Sequence, residues 1–475
     1  MANPHTPPSG LQQFIKKARE LLGERGVLHE EADLIVYEQD GTLAIRGRAY
    51  AVVFPRTVEE MSKVVELAYI YGIPIVGRGS GTSLSGGANP VKGGVIISTA
   101  WMNKILEIDL ANEVAVVQAG VINDWINSYL TRMGYQYPID LGYQYMADPG
   151  SQRVSTIGGN IAHNSGGVKC FKYGVTVNQL RGLTIVLPNG EVRRIGGKEF
   201  EQPGYDLIGL LTGSEGTLAF IAEAVVRIIP TYETTVTIIA KFDDLSAAGR
   251  AVSAVIASGA VPVAMELMDK LAVEAIESGP YAAGLPKDAE AILLIQVEGS
   301  PPGAAEESAK VAEVLKKSGA VGVEVVVDPA IAARIWAARK QAFGAMGYVG
   351  PNYVVEDGTI PRKKLAEALM IARAAGAKRG LRVANVFHAG DGNLHPLILY
   401  DERKPGEREK AIEAGEEILE ACVELGGTIT GEHGVGYMKR KLLPKMYTKE
   451  EIELMKAIKT AFDPKWLMNP GKIFP

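Results

Sequence analysis

Apolar and polar positions alternate in two rhythms along this chain, and the change of rhythm marks its elements. Leu11 to Leu22 (LQQFIKKARELL) has the spacing of a short amphipathic helix, read as a packing helix rather than a membrane-surface one. Ala51 to Pro55 is strand-like. A helix follows over Thr57 to Tyr71, with Thr57 as N-cap and Glu60 at capping-box spacing. Ile73 to Val76 reads as a strand running into a glycine-rich loop, and Gly94 to Ser98 and Glu113 to Gln118 as further strands. Asn123 to Met133 is a helix, and Arg181 to Leu187 a strand closed by the turn Pro188-Asn189-Gly190. This mixture predicts an α+β domain.

A second region begins near Thr231. Ser246 to Ser258, Lys270 to Glu277 and Pro302 to Ser318 have helical spacing; Thr234 to Lys241, Ala291 to Glu298 and Val321 to Val327 read as strands, with Gly299 to Pro302 as a surface loop. Lys449 to Phe462 is a helix stopped at Asp463-Pro464. There is no internal repeat, low-complexity tract or long linker.

Length changes the picture first: 475 residues exceed one ordinary core, so two or three domains are expected. A net charge of −5 without a basic run argues against nucleic acid. The two cysteines, Cys170 and Cys422, are far apart and outside any CxxC, which excludes an iron–sulfur cluster or thiolate zinc site built by this chain alone. The polar stretch Met1 to Gly10 lacks a secretory pattern, and no apolar run reaches membrane-spanning length. The expectation is a cytoplasmic protein.

Candidate chemistry concentrates at His388-Ala-Gly-Asp-Gly-Asn-Leu-His395, which holds two of the chain's six histidines. If Asp391-Gly392 forms a two-residue type I′ turn, His388 and His395 are directly opposed, with Cβ atoms ~5 Å apart. That geometry suits two imidazoles on one divalent metal. The same hairpin is also compatible with histidines that only pack or face solvent.

Three glycine-rich segments accompany it. Val76 to Ala88 (VGRGSGTSLSGGA) offers converging backbone N–H groups and hydroxyl donors, suited to a pyrophosphate. It is not a P-loop, because no Lys follows Gly81, and no helix or acidic partner completes a Rossmann fingerprint. Asp148 to Gly167 holds five glycines in twenty residues, which favours close backbone approach to a flat polar ligand; His163 within it is a base candidate or a wall residue. Leu211 to Leu218 (LTGSEGTL) is a third such turn.

Together these segments resemble the vanillyl-alcohol-oxidase type of FAD flavoprotein over nearly the whole chain. The resemblance rests on Gly77 to Gly87, Thr156-Ile-Gly-Gly-Asn160, Gly213-Ser-Glu-Gly216, the His388/His395 motif and Phe462-Asp-Pro-Lys-Trp-Leu-Met-Asn-Pro-Gly471. Val386 to Asn393, Asp357-Gly-Thr-Ile-Pro361 and Gly431-Glu-His-Gly434 are most similar to the FAD subunits of glycolate oxidases and to D-lactate dehydrogenases.

That resemblance implies an FAD-binding domain over 45–230, a cap over 231–420, an N-terminal helical segment 1–44, and a C-terminal segment 421–475 that completes the active site. Gly77, Arg78, Gly79, Ser80, Gly81, Thr82 and Ser83 would hold the FAD pyrophosphate. Pro149, Gly158, Gly159, Asn164, Glu215, Gly216, Thr217 and Asn469 would line the rest, and Ile221 would meet the adenine. Thr82 occupies the place of the histidine that relatives link covalently to FAD, so a non-covalent flavin is implied.

His388, His395 and Glu432 match the metal ligands of the metal-dependent 2-hydroxy-acid branch (Zn, Fe or Mn), His433 its base, and Arg339 its substrate cation. Phe343, Val355 and Leu397 stand where hydroxyglutarate-type relatives carry Thr, Lys and Asn, which favours a small monocarboxylate. The implied reaction is oxidation of glycolate or D-lactate to the 2-keto acid. Electrons would pass to a partner protein, either iron–sulfur and flavin subunits or an electron-transfer flavoprotein, which would also bring the chain to a membrane periphery. The alternatives are a D-2-hydroxyglutarate dehydrogenase, a redox-neutral flavoenzyme such as an ether-lipid synthase, and a nucleotide-binding module without chemistry.

Overall fold

The architecture was analysed in a computed structural model that describes residues 7–42, 45–133, 143–199 and 203–475. Met1 to Thr6 of the polar N-terminus, and residues 43 and 44 of the N-terminal segment, lie outside the described residues. The chain forms two compact units. One takes residues up to 166, 174–230 and 432–475; the other takes 167–173 and 231–431.

Among the described residues the first unit contains a four-stranded, a five-stranded and a two-stranded sheet, the last pairing Tyr143–Gln144 with Ile229–Pro230. A four-stranded sheet has the order Val27–Leu28, Ala49–Val53, Gly94–Ser98, Ile75–Arg78, its last three strands parallel. The helix Val58–Tyr71 makes the crossover. It starts where the Thr57 hydroxyl accepts the Glu60 N–H at 3.2 Å and stops at Gly72, which is left-handed (φ 62). Leu11, Phe14, Ile15, Ala18 and Leu22 of the expected N-terminal helix pack with it against this sheet. A five-stranded antiparallel sheet follows, ordered Ile105–Asp109, Val114–Gln118, Phe220–Arg227, Leu180–Val186, Val192–Gly196. Ile157 and Ile161 of the short helix Ile157–His163 belong to its core.

The second unit is one nine-stranded antiparallel sheet between two helical layers. Its spine runs Gly322–Val326, Thr234–Phe242, Ala291–Gly299, Ala264–Asp269, Arg382–His388. Leu245–Ala257, Pro301–Lys317, Leu365–Ala377 and Glu407–Glu424 cover one face. Lys270–Glu277, Pro329–Lys340 and Ala342–Ala345 pack on the other. Central strands buried on both sides read as continuous apolar runs, as in Ile292-Leu-Leu-Ile295; each such side chain contributes ~1.5–3 kcal/mol on burial. The expected loop Gly299–Pro302 is shorter than read: Gly299 ends a strand and Pro301 opens a helix, a position where its missing N–H costs nothing. Among the described residues no helix is long and apolar enough to cross a membrane.

One buried acid ties this scaffold together. Asp269 caps the helix Lys270–Glu277 by accepting the Ala272 N–H at 3.0 Å, and accepts both the backbone and the amide N–H of Asn385 at 2.9 Å. Burial pushes its carboxyl up to about 6. A carboxyl held above its ordinary range favours folding when protonated. Stability is therefore present below about pH 4 and is lost as pH rises through about 6. Relative to Asp269→Asn, the natural protein should lose up to about 3 kcal/mol across that window; parallel melting curves from pH 4 to 7 would contradict this.

Candidate active site

In the first unit the glycine-rich loop leaves the strand Ile75–Arg78 and turns against the helix Ile157–His163. A Cβ at Gly79 would stand 2.2 Å from the Thr156 hydroxyl, and Gly81 is left-handed (φ 74), so both positions exclude larger residues. Among the described residues, the backbone N–H groups of 79–84 donate to no internal acceptor. The Arg78 guanidinium packs against Gly81 of this segment. It donates to the carbonyls of Gln39 (2.9 Å) and Val36 (3.4 Å), fastening the preceding segment to the loop.

The turn Gly213–Gly216 docks on the end of the same helix through Gly213 N to Ile161 O (2.9 Å) and Glu215 N to Ala162 O (2.8 Å). Glu215 is itself left-handed (φ 52), and its buried carboxylate accepts Val435 N at 2.7 Å and Gly436 N at 2.8 Å. Ser85 of the glycine loop donates to the His433 carbonyl at 2.9 Å. The segment carrying Glu432 and His433 is thus held by main-chain bonds to two of the three glycine-rich segments. Their side chains lie 3.8 Å apart. A Cβ at Gly434 would meet both Glu215 and the His163 ring at 2.8 Å, so His163 stands beside this segment as well.

Asn469 binds the carbonyls of Gly87 (2.9 Å) and Glu215 (2.7 Å) and accepts from Lys472. Its side chain therefore holds the loops that the sequence assigns to the cofactor. Lys472 also donates to Asn89 O at 2.6 Å, and burial pushes its ammonium down to about 8. Asn164, also left-handed, accepts Val177 N at 2.9 Å; Pro149 and Ile221 are buried, and Thr217 bonds back to Ser214 O at 2.7 Å.

In the second unit the histidines converge by a route different from the expected one. His388 pairs with Asn393, leaving a four-residue loop 389–392 in which Gly392 alone is left-handed (φ 81). The type I′ turn is not formed, because it needs positive φ at Asp391 too; the Asp391 carboxylate instead accepts Asn393 N at 3.1 Å. The register Asn385↔Pro396 continues this pairing and sets His395 opposite Val386. The pairing is displaced by two residues, and a two-residue shift returns side chains to the same face. The rings end 5.2 Å apart, both buried.

Their surroundings follow from strand alternation. Ala384 and Val386, like Leu397 and Leu399, face the layer containing Pro329–Lys340, so His388 and His395 do as well. On the neighbouring strand Met265 and Leu267 face the opposite layer, which turns Glu266 and Met268 towards the histidines. Glu266 is the direct cross-strand partner of His388 and contacts its Nδ1 at 2.8 Å. The buried Arg339 approaches the other Glu266 oxygen at 2.5 Å, off the hydrogen-bonding direction, as an ion pair. The Asp357 carboxylate lies 3.6 Å from His395 Nε2, accepts Thr430 Oγ1 at 2.5 Å and accepts Gly431 N at 3.1 Å. Glu432 is the next residue in the chain.

Two family models cover these segments. The FAD binding domain matches residues 49–196, and the C-terminal domain of FAD linked oxidases matches 231–473. The chain belongs to the FAD-linked oxidases. It is 42% identical to the glycolate oxidase subunit GlcD of Escherichia coli K12, over 94% of this chain and 88% of that one. It is 32% identical to a D-lactate dehydrogenase of Anaerostipes hadrus, over 97% of each. Its fold is that of p-cresol methylhydroxylase, at 20% identity and a TM-score of 0.80, covering 99% of this chain and 98% of that one.

This FAD-linked oxidase has residues that fit the flavin. The arc of N–H groups at 79–84 suits a pyrophosphate, and the buried Thr99 Oγ1, Ser155 Oγ and Asn160 Nδ2 have no partner among the described residues. A divalent metal also fits the donor set, since His388 and His395 bring two buried imidazoles to one face of the sheet. Glu266 and the role of Asp357 escaped sequence reasoning. The signal for Glu266 was one charge inside the apolar run Ala264-Met-Glu-Leu-Met268.

Proposed function

We propose that this FAD-linked oxidase converts a small 2-hydroxy acid, glycolate or D-lactate, to the 2-keto acid and hands the electrons to a partner protein. The observation that carries this reading is the pair of buried imidazoles on one face. The names of the relatives, a glycolate oxidase subunit and a D-lactate dehydrogenase, support the substrate class.

FAD, when bound, would supply the hydride acceptor for substrate C2. His388, His395 and Glu432 would hold a divalent metal (Zn, Fe or Mn), which would acidify the substrate hydroxyl. His433 takes the hydroxyl proton on a ring nitrogen. Ser85 and Glu215 fix its backbone, so the imidazole swings only about its own side-chain torsions. Arg339 offers the substrate carboxylate guanidinium N–H donors beyond those it turns to Glu266. Phe343 packs edge-on against His395 at 5.7 Å, an apolar neighbour with nothing to offer a second carboxylate.

The test is anaerobic flavin reduction with glycolate, D-lactate, L-lactate and D-2-hydroxyglutarate. Glycolate or D-lactate should bleach the flavin fastest. Bleaching by D-2-hydroxyglutarate alone, or by none of the four, would refute the assignment.

A further inference from the structure

We infer that Glu266 is a positioning residue for the metal centre: its carboxylate fixes His388 Nδ1–H, so that Nε2 faces the metal, while Arg339 balances its charge. The inference rests on the metal reading above and concerns a residue that reading does not use.

Glu266 is wholly buried on the sheet face it shares with Met268, where an unpaired carboxylate would be strongly destabilising. Its two oxygens divide their work. Oε1 meets His388 Nδ1 at 2.8 Å, and Oε2 meets the Arg339 guanidinium at 2.5 Å. An ionised carboxylate only accepts, so the proton of a neutral His388 sits on Nδ1 and the lone pair on Nε2. Register makes this rigid. Glu266 and His388 are opposed across the ladder, and Asp269, three residues along the same strand, holds Asn385, three residues before His388. Arg339 cancels the charge of Glu266, so the neutral His388–Glu266–Arg339 set neither repels a cation nor competes for it. The helix that delivers Arg339 is started by Asp328, which accepts Ala330 N at 2.8 Å ahead of Pro329.

The experiment measures Zn²⁺ affinity of the flavin-loaded protein against a competing chelator, with flavin content and melting temperature recorded alongside. Glu266→Leu/Arg339→Leu removes the acceptor without leaving a buried unpaired charge. It should weaken Zn²⁺ binding about 10- to 100-fold while flavin content stays at parent level. Glu266→Gln/Arg339→Gln keeps a neutral acceptor of similar shape and should fall between the two. It carries the test alone if the leucine pair does not fold. Parent-like Zn²⁺ affinity in every folded variant overturns the role of Glu266. A parent protein that binds no Zn²⁺ overturns the metal reading itself, and this inference with it.

Discussion

His433→Ala is expected to abolish flavin reduction by the hydroxy acid while leaving FAD bound. General-base catalysis by a placed imidazole contributes ~10²- to 10⁴-fold, and loss on that scale is the expected effect on the anaerobic reduction rate. Retention of FAD follows from how the segment is held. Ser85 binds the His433 carbonyl, and Glu215 binds the N–H groups of Val435 and Gly436. These are main-chain bonds, and truncation to alanine leaves them in place. Gly434, left-handed with φ 82, is also untouched. Flavin-to-protein absorbance ratios for parent and variant should therefore agree while reduction rates diverge. Reduction at the parental rate would remove His433 from the mechanism. It would turn attention to His163, whose ring lies against Gly434 in the same unit.

The segment carrying His433 also shows where sequence patterns carry information and where they do not. Local signals read well. Leu11–Leu22, Gly94–Ser98, Lys270–Glu277 and Lys449–Phe462 form over the predicted residues, because caps and periodicity act within a few positions. The histidine hairpin was legible in its outcome but not in its register. Asp391-Gly392 has the composition of a two-residue turn, yet an Asx-type bond from Asp391 stabilises a four-residue loop. Sequence spacing fixed the shared face of the two histidines, because face depends on parity alone. Partner identity across strands was not legible. Glu266 meets His388 across 122 positions of chain, and nothing local encodes that pairing. The same limit applies to Arg78 and Asn469. Both lie in the segments that the resemblance assigns to the cofactor, but their side chains bind carbonyls of other segments, which only the assembled unit reveals.

Stripping divalent metal with a strong chelator should eliminate turnover, and Zn²⁺, Mn²⁺ or Fe²⁺ should restore it. A metal that polarises the hydroxyl supplies several kcal/mol of charge stabilisation; at ~1.4 kcal/mol per decade this is a rate loss on the order of a thousandfold. His388→Ala should reproduce the loss, and added metal should not reverse it. The variant removes the proposed ligand nitrogen but leaves the strand Arg382–His388 paired on both sides, so the fold and flavin content should survive. It also leaves Glu266 paired with Arg339 alone, which keeps the buried charges balanced and limits the stability cost. Comparing the two routes separates a missing ion from a missing ligand. The chelated parent recovers with metal, while the alanine variant stays inactive with flavin bound. Unchanged turnover after metal removal verified by elemental analysis would take the metal out of the mechanism and leave His388 and His395 as packing residues.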